Sequence, residues 1–192
     1  MTRRPWMVWM MLLLFGGLFL IMERSGGSQD SRVLLRFGAD QRDLSLGGQP
    51  WRWVSAGLLH IGWAHLLLNS WALYALGTAL ERLYGPRAFW ALFVVATAGG
   101  SIASALFFSA ISAGASGGIF GFFGAYVILY WKRRHAMPPE MRGKARRELV
   151  TVFLLNGAIA FFVPNLNHAA HVGGLLTGSL CAVFLRDAAS EG

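Results

Sequence analysis

Long stretches without a charged residue dominate the pattern of hydrophobic and polar positions along this chain. Four stretches contain no Asp, Glu, Lys or Arg, and they cover residues 5–22, 53–80, 88–131 and 149–185. A membrane-spanning helix needs about 20 apolar residues, so the two shorter stretches predict one helix each. The two longer stretches predict two helices each. One is divided near residues 109–114 and the other at Pro164, because proline interrupts the interior of a helix.

The pattern therefore predicts an all-α, polytopic membrane protein, with six transmembrane helices in a single integral membrane domain over residues 1–192. The expected segments are an outer loop at about 23–52, a basic cytoplasmic loop at 132–148, and spans at 5–22, 53–80, 87–108, 114–131, 149–163 and 167–185. The first span also resembles a signal peptide. It lacks an A-x-A cleavage site and its apolar run is longer than usual for one, so we expect it to remain as a helix.

The composition is that of a membrane protein. Hydrophobic residues make up 55% of the chain and charged residues 14%, whereas a soluble domain carries about a quarter charged residues. With a cytoplasmic amino terminus, twelve of the 17 Lys and Arg would lie inside and five outside, as the positive-inside rule requires. The net charge of +8 is then mostly a topology signal. A basic loop that faces anionic lipid headgroups needs no nucleic-acid partner.

Strongly polar side chains inside the predicted spans are few, and all of them except Asn156 in span five share one depth. Polar groups within a bilayer are costly, so they indicate function. In this topology the second, fourth and sixth spans all begin on the outer side, which places these residues in the outer half of the membrane: His60, His65, Asn69, Ser116, Asn167, His168 and His171. Unrelated packing residues would scatter through the bilayer. The shared depth therefore predicts a site.

Spacing selects a smaller group. His65 and Asn69 are four residues apart and share one helix face. On a continuous helix, His60 would be turned about 140° away from His65. Glycines accompany Ser116 and His171, and small residues let helix backbones approach closely. A Ser116 hydroxyl and a His171 imidazole can then meet at about 3 Å, with the imidazole as the base that activates the nucleophile.

The chemistry that such a pair performs is acyl transfer. No Asp or Glu lies near the predicted site, so a Ser–His–Asp triad is excluded and a dyad remains. His168 is a competing base. The oxyanion of a tetrahedral intermediate needs preorganised donors, and His65, Asn69 and the backbone N–H of Ser116 can supply them.

Three ordered motifs carry a resemblance to a known family. They are H-x4-H-x3-N (His60, His65, Asn69), G-A-S-G (Gly114, Ser116, Gly117) and A-H-x-x-G (Ala170, His171, Gly174). In this order on spans two, four and six, they resemble the rhomboid family of intramembrane serine proteases. The likeness includes the Trp51–Arg52 pair and an L-G-x-x-x-E-x-x-x-G pattern around Glu81, and it covers roughly residues 51–185.

The resemblance implies a six-helix rhomboid-like bundle with a Ser116 nucleophile, a His171 base and an oxyanion hole of His65, Asn69 and the Ser116 amide. It implies supporting, structural roles for His60, Gly114, Gly117, Phe120 and Gly174. Phe120 stands where the family often has tyrosine; its ring can still stack on the imidazole, but without a hydroxyl.

The resemblance also implies a class of substrates, a membrane location and accessory structural elements. The implied substrates are single-span membrane proteins within the lipid bilayer, cleaved near the outer face, and the implied location is a bacterial inner membrane. The fifth span and the loop after it would form a gate and cap. We expect no metal, cofactor or nucleic acid, and the sequence assigns no oligomeric state.

Two alternatives remain open. One is a metal or haem protein that uses the four intramembrane histidines, since imidazole is the commonest metal ligand. The chain has no H-E-x-x-H motif and no carboxylate placed to orient such ligands. The other is a catalytically weak or silent rhomboid-like protein that binds transmembrane clients. The missing hydroxyl at Phe120 keeps this alternative open.

Overall fold

The fold is all-α, as the sequence predicts. The computed structural model describes residues 4–162 and 166–185, with the backbone only for 156–162. In these ranges the regular structure is helical apart from one isolated bridge between Asp40 and Ser112. The break that the sequence predicts at residues 163–165 lies outside the described residues.

Nine α-helices follow one another in the described part of the chain. They are α1 (Trp6–Arg24), α2 (Ser31–Phe37), α3 (Arg42–Leu46), α4 (Arg52–Ser55), α5 (Gly62–Ala72), α6 (Thr78–Phe107), α7 (Ser116–Arg133), α8 (Pro139–Phe162) and α9 (His168–Phe184). A 3-10 turn (Ala56–Leu58) precedes α5, and a π-type segment (Leu73–Gly77) joins α5 to α6. Two helical stretches of this part, Trp6–Arg24 and Gly62–Phe107, are long and apolar enough to cross a bilayer, and α9 is a shorter apolar helix. The count of six spans stays a prediction.

Helix α1 packs into the core along one face. Its buried side chains recur at helical spacing: Val8, Met11, Phe15, Phe19 and Met22. The opposite face is also apolar but exposed, with Leu13 77% exposed. An apolar helix with an exposed apolar face fits a lipid environment. The buried Glu81 accepts hydrogen bonds from the Met7 and Val8 amides, each at 2.9 Å, and so links the start of α1 to α6.

The second expected span does not begin near Trp53. Residues 52–58 form α4 and the 3-10 turn, the chain is extended at Leu59 and Ile61, and α5 begins only at Gly62. His60 therefore precedes the helix, and the argument from its helical angle relative to His65 was wrong. Helix α6 is interrupted at Gly85 (φ 80°, ψ 166°), followed by Pro86. The part of α6 after this interruption corresponds to the expected third span.

Much of the expected basic loop is helical. Helix α8 begins at Pro139 rather than near residue 149, so Arg142, Lys144, Arg146 and Arg147 lie on its first turns. Proline suits the first helical position because its fixed φ is already helical and it has no N–H to leave unpaired. Hydropathy marks only the apolar part of such a helix. For this reason the charge pattern gave its start too late.

Two arginines hold the first loop, residues 25–61: Arg52 bonds within the loop and Arg42 ties it to α6. The Arg52 guanidinium donates to the carbonyls of Leu35 (2.9 Å) and Ala39 (2.8 Å). Arg42 donates to the carbonyls of Ala105 and Leu106, both at 2.6 Å, at the carboxyl end of α6. These bonds place the loop beside the segment that leads into α7.

Helices α7 and α9 pack closely through glycines. A Cβ added at Gly174 would overlap the Gly117 carbonyl, and one added at Gly178 would overlap the backbone of Gly121. At the far ends of the two helices, the Lys132 Nζ donates to the carbonyls of Ala182 and Val183, both at 2.8 Å. The two helices therefore run in the same direction and begin at the same end of the bundle.

Candidate active site

Ser116 and His171 meet where α7 and α9 begin. Ser116 is the first residue of α7, and His171 lies in the first turn of α9. The Ser116 Oγ is 3.0 Å from the His171 Nε2. The glycine contacts between the two helices allow this approach, because a larger residue at Gly174 would separate the backbones. His168 is exposed at the start of α9, and the imidazole that contacts Ser116 is that of His171.

Phe120 lies flat against the His171 ring. The ring centroids are 4.2 Å apart and the planes differ by 10°. Phe120 follows Ser116 by one helical turn, so α7 presents both the hydroxyl and the stacking ring to the same imidazole.

His65 carries a defined tautomer. Its Nδ1 accepts a hydrogen bond from the Ile61 N–H at 3.3 Å. A neutral imidazole with one accepting nitrogen carries its proton on the other, so the Nε2 of His65 is a donor. The Ile61 N–H, in the extended segment before α5, thus leaves the His65 Nε2–H on that helix as a hydrogen-bond donor.

Gly114 lets the loop before α7 lie directly against this donor. An added Cβ at Gly114 would be 2.7 Å from the His65 Nε2, and its φ of +137° disfavours any L side chain. The Gly114 N–H also donates to the Ala56 carbonyl at 2.9 Å. The approach of backbone to ring requires glycine here, two residues before Ser116.

Asn69 lies one helical turn after His65, on the same face. Its side chain is buried, and its Nδ2 donates to the His65 carbonyl at 2.9 Å. An amide nitrogen has two hydrogens, so this bond leaves the second one available. The first amides of a helix likewise have no acceptor within that helix, which leaves the Ser116 N–H uncommitted at the start of α7.

His60 is not part of this group. It is fully buried, and its ring packs against Phe15 (centroids 4.7 Å apart) and edge-on against His65 (5.5 Å). His60 thus touches the back of the His65 ring, in keeping with a supporting position. Among residues 4–155 and 166–185, no group of three or more His, Cys, Asp or Glu side chains could hold a metal ion.

A cavity of about 910 Å³ connects these side chains. His65, Asn69, Ser116 and His171 line it together with apolar residues from α5 to α9. Four large side chains of its lining are also exposed on the protein surface: Leu68 and Trp71 of α5, and Phe153 and Leu155 of α8. The cavity therefore reaches the surface between α5 and α8.

The sequence places Asn167 among the polar residues of the site but does not predict the polar network that it forms at the start of α9. Asn167 caps α9 and also contacts Ser104 and Ser112 through its side chain. An asparagine immediately before a helix is a known N-cap signal, which could have identified its capping role. The two serine partners are distant in sequence and carry no comparable signal.

Comparison with known proteins identifies the family. A profile described as Rhomboid domain matches residues 47–188. The chain belongs to the rhomboid family. This membership, together with the long apolar helices, makes it an integral membrane protein.

Several curated relatives are similar to this rhomboid protein. It is 36% identical over 168 residues to Rhomboid protease GluP of Bacillus subtilis, covering 88% of this chain and 32% of that one. It is 30% identical over 177 residues to Rhomboid protease AarA of Providencia stuartii, covering 81% and 63%. It is 35% identical over 152 residues to RHOMBOID-like protein 5 of Arabidopsis thaliana, covering 76% and 47%. The matched region thus spans from 32% to 63% of the length of these relatives.

Proposed function

We propose that this rhomboid protein is an intramembrane serine endopeptidase that cleaves single-span membrane proteins within their transmembrane helix, near the outer face. The observation that carries the proposal is the 3.0 Å contact between the Ser116 Oγ and the His171 Nε2 inside a cavity that reaches the surface between two helices. The names of the relatives GluP and AarA, both rhomboid proteases, agree with it.

The first half of the reaction forms an acyl-enzyme. The His171 Nε2 takes the proton of the Ser116 hydroxyl as the Oγ attacks the scissile carbonyl carbon. The negative charge on the resulting oxyanion is stabilised by the His65 Nε2–H, the Asn69 amide and the Ser116 N–H. His171 then returns its proton to the leaving amine, the C–N bond breaks, and the substrate acyl group remains as an ester on Ser116.

The second half releases the product. A water molecule attacks the ester while His171 takes one of its protons, and the Ser116 Oγ leaves and regains that proton. The carboxylate product departs. In a triad a carboxylate orients the imidazole; in this dyad the flat contact with Phe120 takes the orienting role.

The substrate enters from the lipid between α5 and α8. Exposed apolar side chains of both helices line the cavity at this surface, namely Leu68, Trp71, Phe153 and Leu155. A transmembrane helix that unwinds there would present an extended segment to Ser116. Helix α8 then acts as the gate; the cap that the sequence predicts after it falls partly on residues 163–165, outside the described part of the chain.

The charge distribution supports a cytoplasmic amino terminus, and the bacterial inner membrane remains what the family resemblance implies. The basic first turns of α8 and the basic end of α7 lie on the chain segment between these helices, which the positive-inside rule assigns to the cytoplasm. Ser116 and His171 begin their helices at the opposite end and therefore face the outer half of the bilayer.

Cleavage of a reconstituted single-span substrate tests the proposal. Ser116→Ala and His171→Ala should abolish turnover, and a fluorophosphonate should label the wild type but not Ser116→Ala. The matched controls are Ser109→Ala and His168→Ala, which remove an exposed serine and an exposed histidine near the site and should leave turnover in place. Substrate binding without cleavage by the wild type would favour a silent, client-binding rhomboid protein.

A further inference from the structure

Asn167 connects three segments of the chain through one side chain. Its Oδ1 accepts a hydrogen bond from the Ala170 N–H at 3.0 Å and so caps α9. Its Nδ2 donates to the Ser104 Oγ at 2.7 Å, in the last turn of α6, and to the Ser112 Oγ at 2.9 Å, in the loop before α7. All the hydrogens of the amide are used.

The orientation of this amide follows from its partners. A backbone N–H can only donate, so the atom facing Ala170 must be the oxygen, and the nitrogen must face the two hydroxyls. The Asn167 side chain therefore keeps one orientation. Any rotation would break at least one of its hydrogen bonds, which are partly buried and costly to lose.

The two branches of this network lead to the two members of the dyad. Asn167 precedes His171 by one turn, and its carbonyl accepts from the His171 N–H at 3.3 Å. Ser112 precedes Ser116 by four residues on the chain. Its backbone also exchanges two hydrogen bonds with that of Asp40, at 2.9 and 2.8 Å, which holds it to the first loop.

Asn167 holds the start of α9 through hydrogen bonds, whereas glycines pack closely around and after His171. Gly173, Gly174 and Gly178 of α9 all follow His171, and Gly100 of α6 packs against the Ala170 carbonyl immediately before it. Asn167 lies four residues before His171 and links α9 to α6 and to the loop before α7. His171 is therefore held both by backbone packing and by these hydrogen bonds, and the hydrogen bonds reach the loop that leads into Ser116.

We propose that Asn167 is a positioning residue for the dyad: by linking the start of α9 to Ser104 and Ser112, it sets the distance between the His171 imidazole and the Ser116 hydroxyl. The proposal rests on the proposed protease function for its kinetic consequence. Misplacement of a catalytic group by about 1 Å can lower a rate by about 100-fold. A displaced first turn of α9 should therefore lower turnover more than substrate binding.

Three variants separate capping from linking. Asn167→Ala removes both. The double variant Ser104→Ala with Ser112→Ala keeps the cap and removes the links. Asn167→Asp keeps the cap acceptor, and the two serine hydroxyls can turn to donate to its carboxylate, so it is the conservative replacement. Asp30→Ala is the matched control, since Asp30 caps α2 in the first loop through the Arg32 and Val33 amides, away from the dyad.

The kinetic readouts are the fluorophosphonate labelling rate and the kcat and KM for a reconstituted single-span substrate. Asn167→Ala and the double serine variant should lower labelling and kcat by about tenfold or more, with KM within about twofold of the wild type. Asn167→Asp should recover most of the loss, and Asp30→Ala should change neither rate. Wild-type labelling by Asn167→Ala, or by the double serine variant, would overturn the proposal.

A spectroscopic readout does not depend on turnover. The 15N resonance of the His171 Nε2 reports its hydrogen bond to Ser116, and Ser116→Ala gives the reference value for its loss. In Asn167→Ala the resonance should move toward that reference, and in Asn167→Asp it should stay near the wild type. An unmoved resonance in Asn167→Ala rejects the positioning role. A wild type that neither labels nor cleaves rejects the proposed function instead, while the resonance still decides the role of Asn167.

Discussion

The rings of Phe120 and His171 are stacked, with centroids 4.2 Å apart and planes 10° apart. Both residues lie on the helices whose glycines allow close packing, and the Ser116 hydroxyl contacts the same imidazole at 3.0 Å. One face of the His171 ring therefore packs against Phe120, while its Nε2 contacts the Ser116 hydroxyl. This arrangement predicts that the Phe120 ring orients the imidazole.

Removal of the stacking ring should slow turnover. An aromatic pair contributes about 0.5–1.5 kcal/mol beyond its buried area, and we expect Phe120→Ala to lower kcat by about threefold to tenfold with little effect on KM. Phe120→Tyr keeps the stack and should retain activity. Steady-state cleavage of a reconstituted substrate measures both. If Phe120→Ala turned over as fast as Phe120→Tyr, the ring would have no orienting role.

Gly114→Ala should disable the site through His65. The new Cβ would lie 2.7 Å from the His65 Nε2 at a φ of +137°, so the ring or the loop must move. The matched control is Gly48→Ala. Gly48 also has a positive φ, of +117°, but no neighbouring atom within 4 Å of the added Cβ. Because both variants place an L residue in a sparsely populated positive-φ conformation, at a cost of about 1–3 kcal/mol, the extra loss of fluorophosphonate labelling in Gly114→Ala isolates the contact with His65. Equal labelling by both variants would contradict this account.

Glu81 should contribute to stability through α1. Its buried carboxylate accepts from the Met7 and Val8 amides, and loss of an acceptor from buried donors costs about 1–3 kcal/mol. Glu81→Ala should therefore lower the free energy of unfolding by about that amount, measured by denaturant titration in detergent micelles. Glu140→Ala, which removes an exposed carboxylate from the first turn of α8, serves as the comparison. It should cost less than about 1 kcal/mol, because it removes only an interaction with the helix dipole.

Asp40 should make stability depend on pH. Burial raises the pKa of the Asp40 carboxyl, which is 1% exposed in the first loop. Because the folded protein then holds this proton more tightly than the unfolded chain, stability falls as the pH rises from the ordinary pKa of 3.8 through the raised value. The stability of Asp40→Asn should not decline in this way. Below the ordinary pKa of 3.8 it should match the stability of the wild type.

Unfolding titrations across this pH range provide the measurement. Asp43→Asn replaces an exposed carboxylate in the same loop and should leave the wild-type pH dependence in place. The same decline in Asp40→Asn as in the wild type would show that another group is responsible.

Several features of this protein can be predicted from the local sequence pattern. Uncharged apolar stretches identify helices because hydropathy and length are properties of a continuous segment. The pairing of Ser116 with His171 was also accessible, since glycines beside each residue indicate helices that approach closely. The order of the motifs indicated the rhomboid family, and the profile match over residues 47–188 confirms it.

Other features depend on the folded chain. The position of His60 in an extended segment and the start of α5 at Gly62 could not be read from hydropathy, because the residues from 53 onward are as apolar as those of the helix. The start of α8 at Pro139 was hidden for the opposite reason, since its first turns are charged.

The sequence by itself thus determined the all-α membrane class, the family and the residues that carry the proposed chemistry, because these follow from composition and from motifs within single segments. Only the tertiary structure decided how Asn167 joins Ser104 and Ser112 and how Gly114 lies against His65. Hydrogen bonds between residues more than fifty positions apart leave no periodicity in the sequence. Their geometry exists only once the helices have packed.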